Sequence, residues 1–165
     1  MIVLGVDPGT AITGYGFIRE DEDVLSAIAC GAITTPSDWP LPQRLAALHA
    51  ELSRLILLHR PASAAVEQLF FSRNARSALA VGHARGVILL ALAQAGVPVV
   101  EYTPLEVKQA VAGYGRADKK QMQEMVRVLM GLPDIPKPDD VADALAVAIC
   151  HLHTSRIGGL VERSA

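Results

Sequence analysis

At 165 residues, with 51% hydrophobic and 19% charged side chains, the chain is long enough for one domain with a proper core and too apolar to be disordered. Its opening apolar run, residues 2–6, is far too short for a signal peptide or a membrane span. A net charge of −2 argues on its face against a nucleic-acid partner, and two cysteines, Cys30 and Cys150, make neither a disulfide framework nor a metal-ligand spacing, which suits a reducing cytoplasm.

Residues 2–6 (IVLGV) are apolar without alternation and predict a buried strand. The segments 13–19 and 24–34, rich in small and β-branched residues and divided by the acidic turn EDED, predict two more strands, antiparallel neighbours of the first. Residues 40–60 place Leu41, Leu45, Leu48, Leu52 and Leu55 on one helical stripe that Pro61 ends. Residues 62–66 (ASAAV) predict a fourth strand finishing on Glu67. After LFFSRN comes an Ala- and Gly-rich helix over 75–95, stopped by Gly96, and a fifth strand over 97–102. Helices are predicted over 105–112, 119–130 and, after the Pro-rich PDIPKPDD, 140–153, with 154–165 a frayed tail on a single domain of residues 1–153.

The order βββαβαβααα predicts an α/β fold, a five-stranded mixed sheet flanked by helices. A right-handed crossover from the first strand sets the fourth beside it and parallel. Both strands end on a carboxylate, Asp7 and Glu67, so both acids reach the same sheet edge. Asp7 also opens Asp-Pro-Gly, a ready turn, so its position has an ordinary explanation as well. Asp140 and Asp143, three residues apart, share a helix face; Asp139 is placed to cap that helix and leave the other two available, although capping explains such acids equally well when taken alone. Ala142, Ala144, Ala146 and Ala148 keep the helix slim.

Four converging carboxylates repel one another unless protons or cations intervene. Oxygen-only donors favour Mg²⁺ or Mn²⁺, and two such ions about 4 Å apart serve phosphodiester hydrolysis best. Withdrawing four acids from the 17 leaves 13 against 15 basic residues, so DNA binding would depend on where the cations sit. Arg73, Arg76, Lys108, Arg116, Lys119 and Lys120 follow the fourth and fifth strands, at the edge where open α/β sheets form sites. There they would position phosphates without reading sequence.

The stretches MIVLGVDPGTAITGYGFI, AVEQLFFSRNARSALAVGHARGV, EYTPLEVKQAVAGYGRADKKQM and DDVADALAVAICH, in this order and spacing, resemble the bacterial RuvC Holliday junction resolvases over roughly residues 1–153. The resemblance implies a ribonuclease-H-like fold, with Asp7, Glu67, Asp140 and Asp143 as catalytic acids that bind two Mg²⁺ per site, Mn²⁺ substituting. It implies paired, symmetric cuts in a four-way DNA junction during recombination and repair. Lys108 and Lys119 match family lysines near the scissile phosphate, Arg116 and Lys120 are further backbone contacts, and Phe70 matches an aromatic that stacks on an unpaired base at the junction. Phe71 is read as core. A RuvA–RuvB branch-migration partner is likewise implied.

A two-fold junction and paired cuts call for a homodimer, for which the small-residue face of the helix over 75–95 (Ala78, Val81, Gly82, Gly86) offers a close approach; that face could equally lie on the chain's own sheet. His83, His151 and His153 read as surface or core residues, and Gly113 and Gly115 lack the Lys-Ser/Thr of a phosphate loop. The competing readings are an ATP-using protein of the actin and sugar-kinase group, an inactive junction-binding module, and a less selective nuclease of the same fold. The first would need a second domain with another Asp-x-Gly motif.

Overall fold

The structure, a computed structural model, describes residues 1–68 and 75–164, with side chains as far as Arg156. Five strands form one sheet in the order β3-β2-β1-β4-β5: β1 (Ile2–Asp7), β2 (Ile12–Asp21), β3 (Val24–Thr34), β4 (Ser63–Glu67) and β5 (Val99–Tyr102). β1, β2 and β3 are an antiparallel meander, while β4 and β5 run parallel to β1. The mixed sheet and its crossover are as the order of elements predicts.

Side-chain alternation divides the core into two layers. Leu4, Val6, Phe17, Ala64 and Val66 point to one face, where α1 (Leu41–His59) and α2 (Ala75–Gln94) cover them. The leucine stripe of α1 holds for its last three members: Leu48, Leu52 and Leu55 are buried, joined by Ile56, whereas Leu45 is half-buried and Leu41, at the start of the helix, is exposed. Arg60 ends α1 in the left-handed conformation, φ 48°, just before Pro61. Val3, Ala65 and Ile18 point to the other face, under α5 (Asp139–Ser164). α3 (Pro104–Ala112) and α4 (Lys119–Leu129) join that layer, each begun by a reciprocal capping box, Thr103 with Glu106 and Asp118 with Gln121.

Several boundaries differ from expectation; β2 runs on to Asp21, which leaves only Glu22 and Asp23 of the acidic turn outside the strands. β5 begins at Val99, because Val97 N–H donates to Leu92 O and still belongs to the end of α2, and Pro98 has no N–H to give. The last helix does not stop near His153 but runs to Ser164, with Arg156 paired to Glu20 and Asp23 at the β2–β3 turn. The small-residue face of α2 splits. Ala78 is buried in this chain's own core, whereas a methyl group at Gly86 would meet only open space. α2 is long and apolar enough, by length and composition alone, to cross a membrane; here Ala78, Ala84, Ile88, Ala91 and Leu92 bury one side of it in the domain.

Candidate active site

Asp7 and Glu67 are the last residues of β1 and β4, one step beyond the paired Val6 and Val66. By alternation both side chains fall on the Val3 and Ala65 face, the one that α5 covers. Asp7 pairs with Gly14 across β1 and β2, and the first turn of α5 rests on Gly14 itself. A side-chain carbon on Gly14 would collide with the main-chain oxygen of Asp140, and one on Gly5 would collide with that of Ala144. Two glycines without side chains thus let α5 sit against the backbone of the sheet, bringing Asp140 and Asp143 to the edge where Asp7 and Glu67 end.

The turn after Asp7 is firmly tied. Thr13 Oγ1 donates to Gly9 O at 2.6 Å, Thr35 Oγ1 donates to Thr10 O at 2.5 Å, and Arg44 Nε donates to Thr35 Oγ1 at 2.9 Å. The Asp-Pro-Gly turn and the delivery of a carboxylate are therefore one device rather than two alternatives.

Electrostatics shows how closely the acids sense each other. Burial pushes the Asp7 carboxyl up to about 8, with further contributions from Asp143, Glu67 and Asp140 in that order, against a lowering influence of Lys119. Glu67 is raised by burial and then by Asp143, and Lys108 opposes this. Asp143 is also raised by burial, opposed by Lys119. Asp7, Glu67 and Asp143 are thus held above the ordinary carboxylate range by lost hydration first and by neighbouring negative charge next. Among the described residues no three Asp, Glu, His or Cys side chains are drawn tightly enough together to hold an ion as they stand. The four oxygen donors form an open, mutually repelling set that a hard divalent cation would relieve.

A cleft of about 220 Å³ adjoins them, lined by Glu67, Lys108, Lys119, Asp143, Val107 and Met122 among others. Lys119 Nζ lies 3.7 Å from Asp143 Oδ2 and 3.0 Å from Asp139 Oδ2. The expectation that Asp139 caps α5 is therefore corrected: Asp139 lies within the first turn and its carboxylate is engaged by Lys119. Lys120 points elsewhere, lining a separate, mostly apolar cavity of about 550 Å³ with Tyr114, Gln121, Met125 and Ile135. The structure thus brings Lys108 and Lys119 to the cleft beside the acids and gives Lys120 to a different cavity. Arg116 is exposed in the loop before α4, and Arg76 is exposed in the first turn of α2. Phe70, Phe71 and Arg73 lie outside the described residues.

None of the three histidines stands with the acids. His151 is buried and hydrogen-bonds Ser63 Oγ at 2.9 Å and Tyr102 OH at 2.8 Å, tying α5 to β4 and β5; burial lowers its pKa. His153 Nδ1 lies 3.1 Å from Ala110 O, and His83 is exposed. Cys30 and Cys150 are both free thiols, one exposed and one buried. Sequence reasoning missed Gly5 and Gly14 as the seat of α5 and Asp139 as the partner of Lys119. A readable sign existed for the glycines: two sit on strands that otherwise call for β-branched residues.

Comparison with known proteins gives the family and agrees with the fold. The model of the crossover junction endodeoxyribonuclease RuvC family matches residues 3–151. The chain belongs to the RuvC family. A RuvC of Desulfitobacterium hafniense is 56% identical over 163 residues, covering 96% of this chain and 99% of that protein. A RuvC of Syntrophomonas wolfei is 53% identical over 165 residues, covering 100% and 96%. Among solved structures, Thermus thermophilus RuvC in complex with a Holliday junction substrate superposes with a TM-score of 0.91 at 38% identity, covering 96% of each chain. The yeast mitochondrial resolvase Ydc2, at 15% identity and TM-score 0.64, shares the fold. RuvC membership makes the chain a nuclease with the ribonuclease-H-like sheet that the acids require.

Proposed function

We propose that this RuvC-family enzyme resolves Holliday junctions by two symmetric phosphodiester cuts, with Asp7, Glu67, Asp140 and Asp143 as its catalytic acids. The observation that carries the reading is the convergence of the four acids at one sheet edge, Asp7 and Glu67 at the ends of neighbouring parallel strands and the first turn of α5 seated on Gly14 beside them. Full-length likeness to crossover junction endodeoxyribonucleases, and to a RuvC bound to a Holliday junction substrate, supplies the substrate class.

The four acids would hold divalent cations, two Mg²⁺ per site with Mn²⁺ able to substitute. When bound, such ions lower the pKa of water and stabilise the leaving oxygen. The chain's own groups then have distinct tasks. Asp7 must lose its proton and act as a charged ligand. Lys108 and Lys119 present their ammonium groups to the phosphate, and Lys119 releases Asp139 and Asp143 to do so. Cleavage leaves 5′-phosphate and 3′-hydroxyl ends.

Two symmetric cuts need two sites in fixed relation, which a homodimer provides. The outward side of α2, where Leu79 and Leu90 are exposed and Gly86 faces open space, supports a second copy there. Phe70 would stack on an unpaired base, and base stacking on an aromatic is worth about 1–3 kcal/mol. Arg73, Arg76, Arg116 and Lys120 would meet DNA backbone outside the cutting point. The enzyme would work in the reducing cytoplasm with the RuvA–RuvB motor.

The deciding experiment is cleavage of a synthetic four-way junction with and without Mg²⁺, using wild type and Asp7→Asn. Metal-dependent paired nicking by wild type alone supports the proposal. Binding without nicking would favour a scaffold, and equal cutting of linear duplex would favour a less selective nuclease.

A further inference from the structure

Asp139 belongs to none of the roles above, yet it makes the shorter of the two contacts of Lys119, 3.0 Å against 3.7 Å to Asp143. We infer that Asp139 is a positioning residue that acts through Lys119, drawing its ammonium aside so that the Asp143 carboxylate stays open to a cation. The inference rests on the reading of the four acids as cation ligands.

The geometry gives Lys119 two anionic neighbours on successive turns of one helix. Asp139 stands at the start of α5 and Asp143 one turn on, so both face the same side. Lys119 begins α4 and reaches across to them. With Asp139 present, the ammonium divides its charge between the two carboxylates. With Asp139 neutral, the nearest anion left is Asp143, and the lysine settles there as an internal competitor for the cation. Asp139 and Lys119 are each 57% exposed, so their pair contributes little to folding and is readily exchanged for a phosphate oxygen. An exchangeable pair suits a lysine that must wait beside the acids and then turn to the substrate.

The test is Mn²⁺ binding to the full-length, DNA-free protein, followed by calorimetry with MnCl₂, for wild type, Asp139→Asn, Lys119→Ala and the double variant. Asp139→Asn is expected to weaken Mn²⁺ binding roughly two- to five-fold, the range of an exposed ion pair. Lys119→Ala is expected to tighten it, and in that background Asp139→Asn should change nothing. Asp139→Glu should restore near-normal affinity. Equal loss from Asp139→Asn with and without Lys119 would mean that Asp139 acts only as a distant charge and would overturn the inference. So would no loss at all. Wild type that fails to bind Mn²⁺ would overturn the cation reading of the four acids as well. Circular dichroism melts check that each variant is folded.

Discussion

Gly14 lies directly beneath the main-chain oxygen of Asp140, close enough that one methyl group on the glycine would collide with it. The contact sets the height of the first turn of α5 above the sheet, and with it the position of two of the four acids. Gly14→Ala should push that turn outward. Overpacking of this kind costs about 1–3 kcal/mol, and cleavage should fall far more than stability because Asp140 leaves its partners. Thermal melts alongside single-turnover cleavage check it. Gly86→Ala, with open space around it in the single chain, should stabilise the helix by about 0.5–1 kcal/mol while weakening the close approach of a second copy proposed on that face.

Asp7 should make the metal-free enzyme less stable as pH rises. A carboxyl raised to about 8 keeps its proton in the folded state while the unfolded chain has lost it, so between pH 4 and 8 folding takes up one proton. Stability then declines by up to about 1.4 kcal/mol per pH unit from this group alone. Asp7→Asn should remove that slope, melt higher than wild type at pH 7 without metal, and abolish cutting. Chemical denaturation across pH 4 to 8, without and with Mg²⁺, reads the effect, and a wild-type slope equal to that of Asp7→Asn contradicts it.

The sheet, its antiparallel meander with the fourth strand beside the first, and the end-of-strand placement of Asp7 and Glu67 were legible in the sequence, because apolar runs and helix stripes report burial directly; the place of β5 at the edge beside β4 was not. What escaped was whatever depends on distance across the fold. Gly14 in the TGYG run reads as a flexible residue until α5 is seen lying on it. Asp139 reads as a cap because capping is local, and only the position of α4 reveals Lys119 beside it. Local pattern does not separate Lys119 from Lys120, and only the family resemblance sets Lys119 nearer the phosphate; successive residues of a helix point about 100° apart, so one lines the cleft beside the acids and the other an apolar cavity.

That divergence separates their substitutions. Lys119→Ala should slow the single-turnover cutting rate by a hundredfold or so, the order expected when a charge facing the reacting phosphate is removed. Lys120→Ala should act on junction affinity alone, lowering the salt dependence of binding by about one phosphate contact. Cutting rates at saturating enzyme, with binding measured at several salt concentrations, separate the two effects.

His151 contributes in the opposite sense to Asp7. Burial lowers its pKa, so below about pH 6.5 the unfolded chain binds a proton that the folded one refuses, and stability falls as pH falls. His151→Ala should abolish that acid-side loss. It should also cost about 2–4 kcal/mol at pH 7, because it leaves a cavity and deprives Ser63 and Tyr102 of their partner. Urea titrations at pH 5 and 7 distinguish the two contributions.

The acids stand on β1, β4 and α5, whereas the lysines that face them come from α3 and α4, an excursion inserted between the last strand and the last helix. On the reading proposed above, the acids and the cations that meet the phosphate are thus carried by different stretches of polypeptide. A change confined to that excursion would alter how the phosphate is met, in the cutting step as well as in binding, without moving the strand ends and the glycine seat that place the carboxylates.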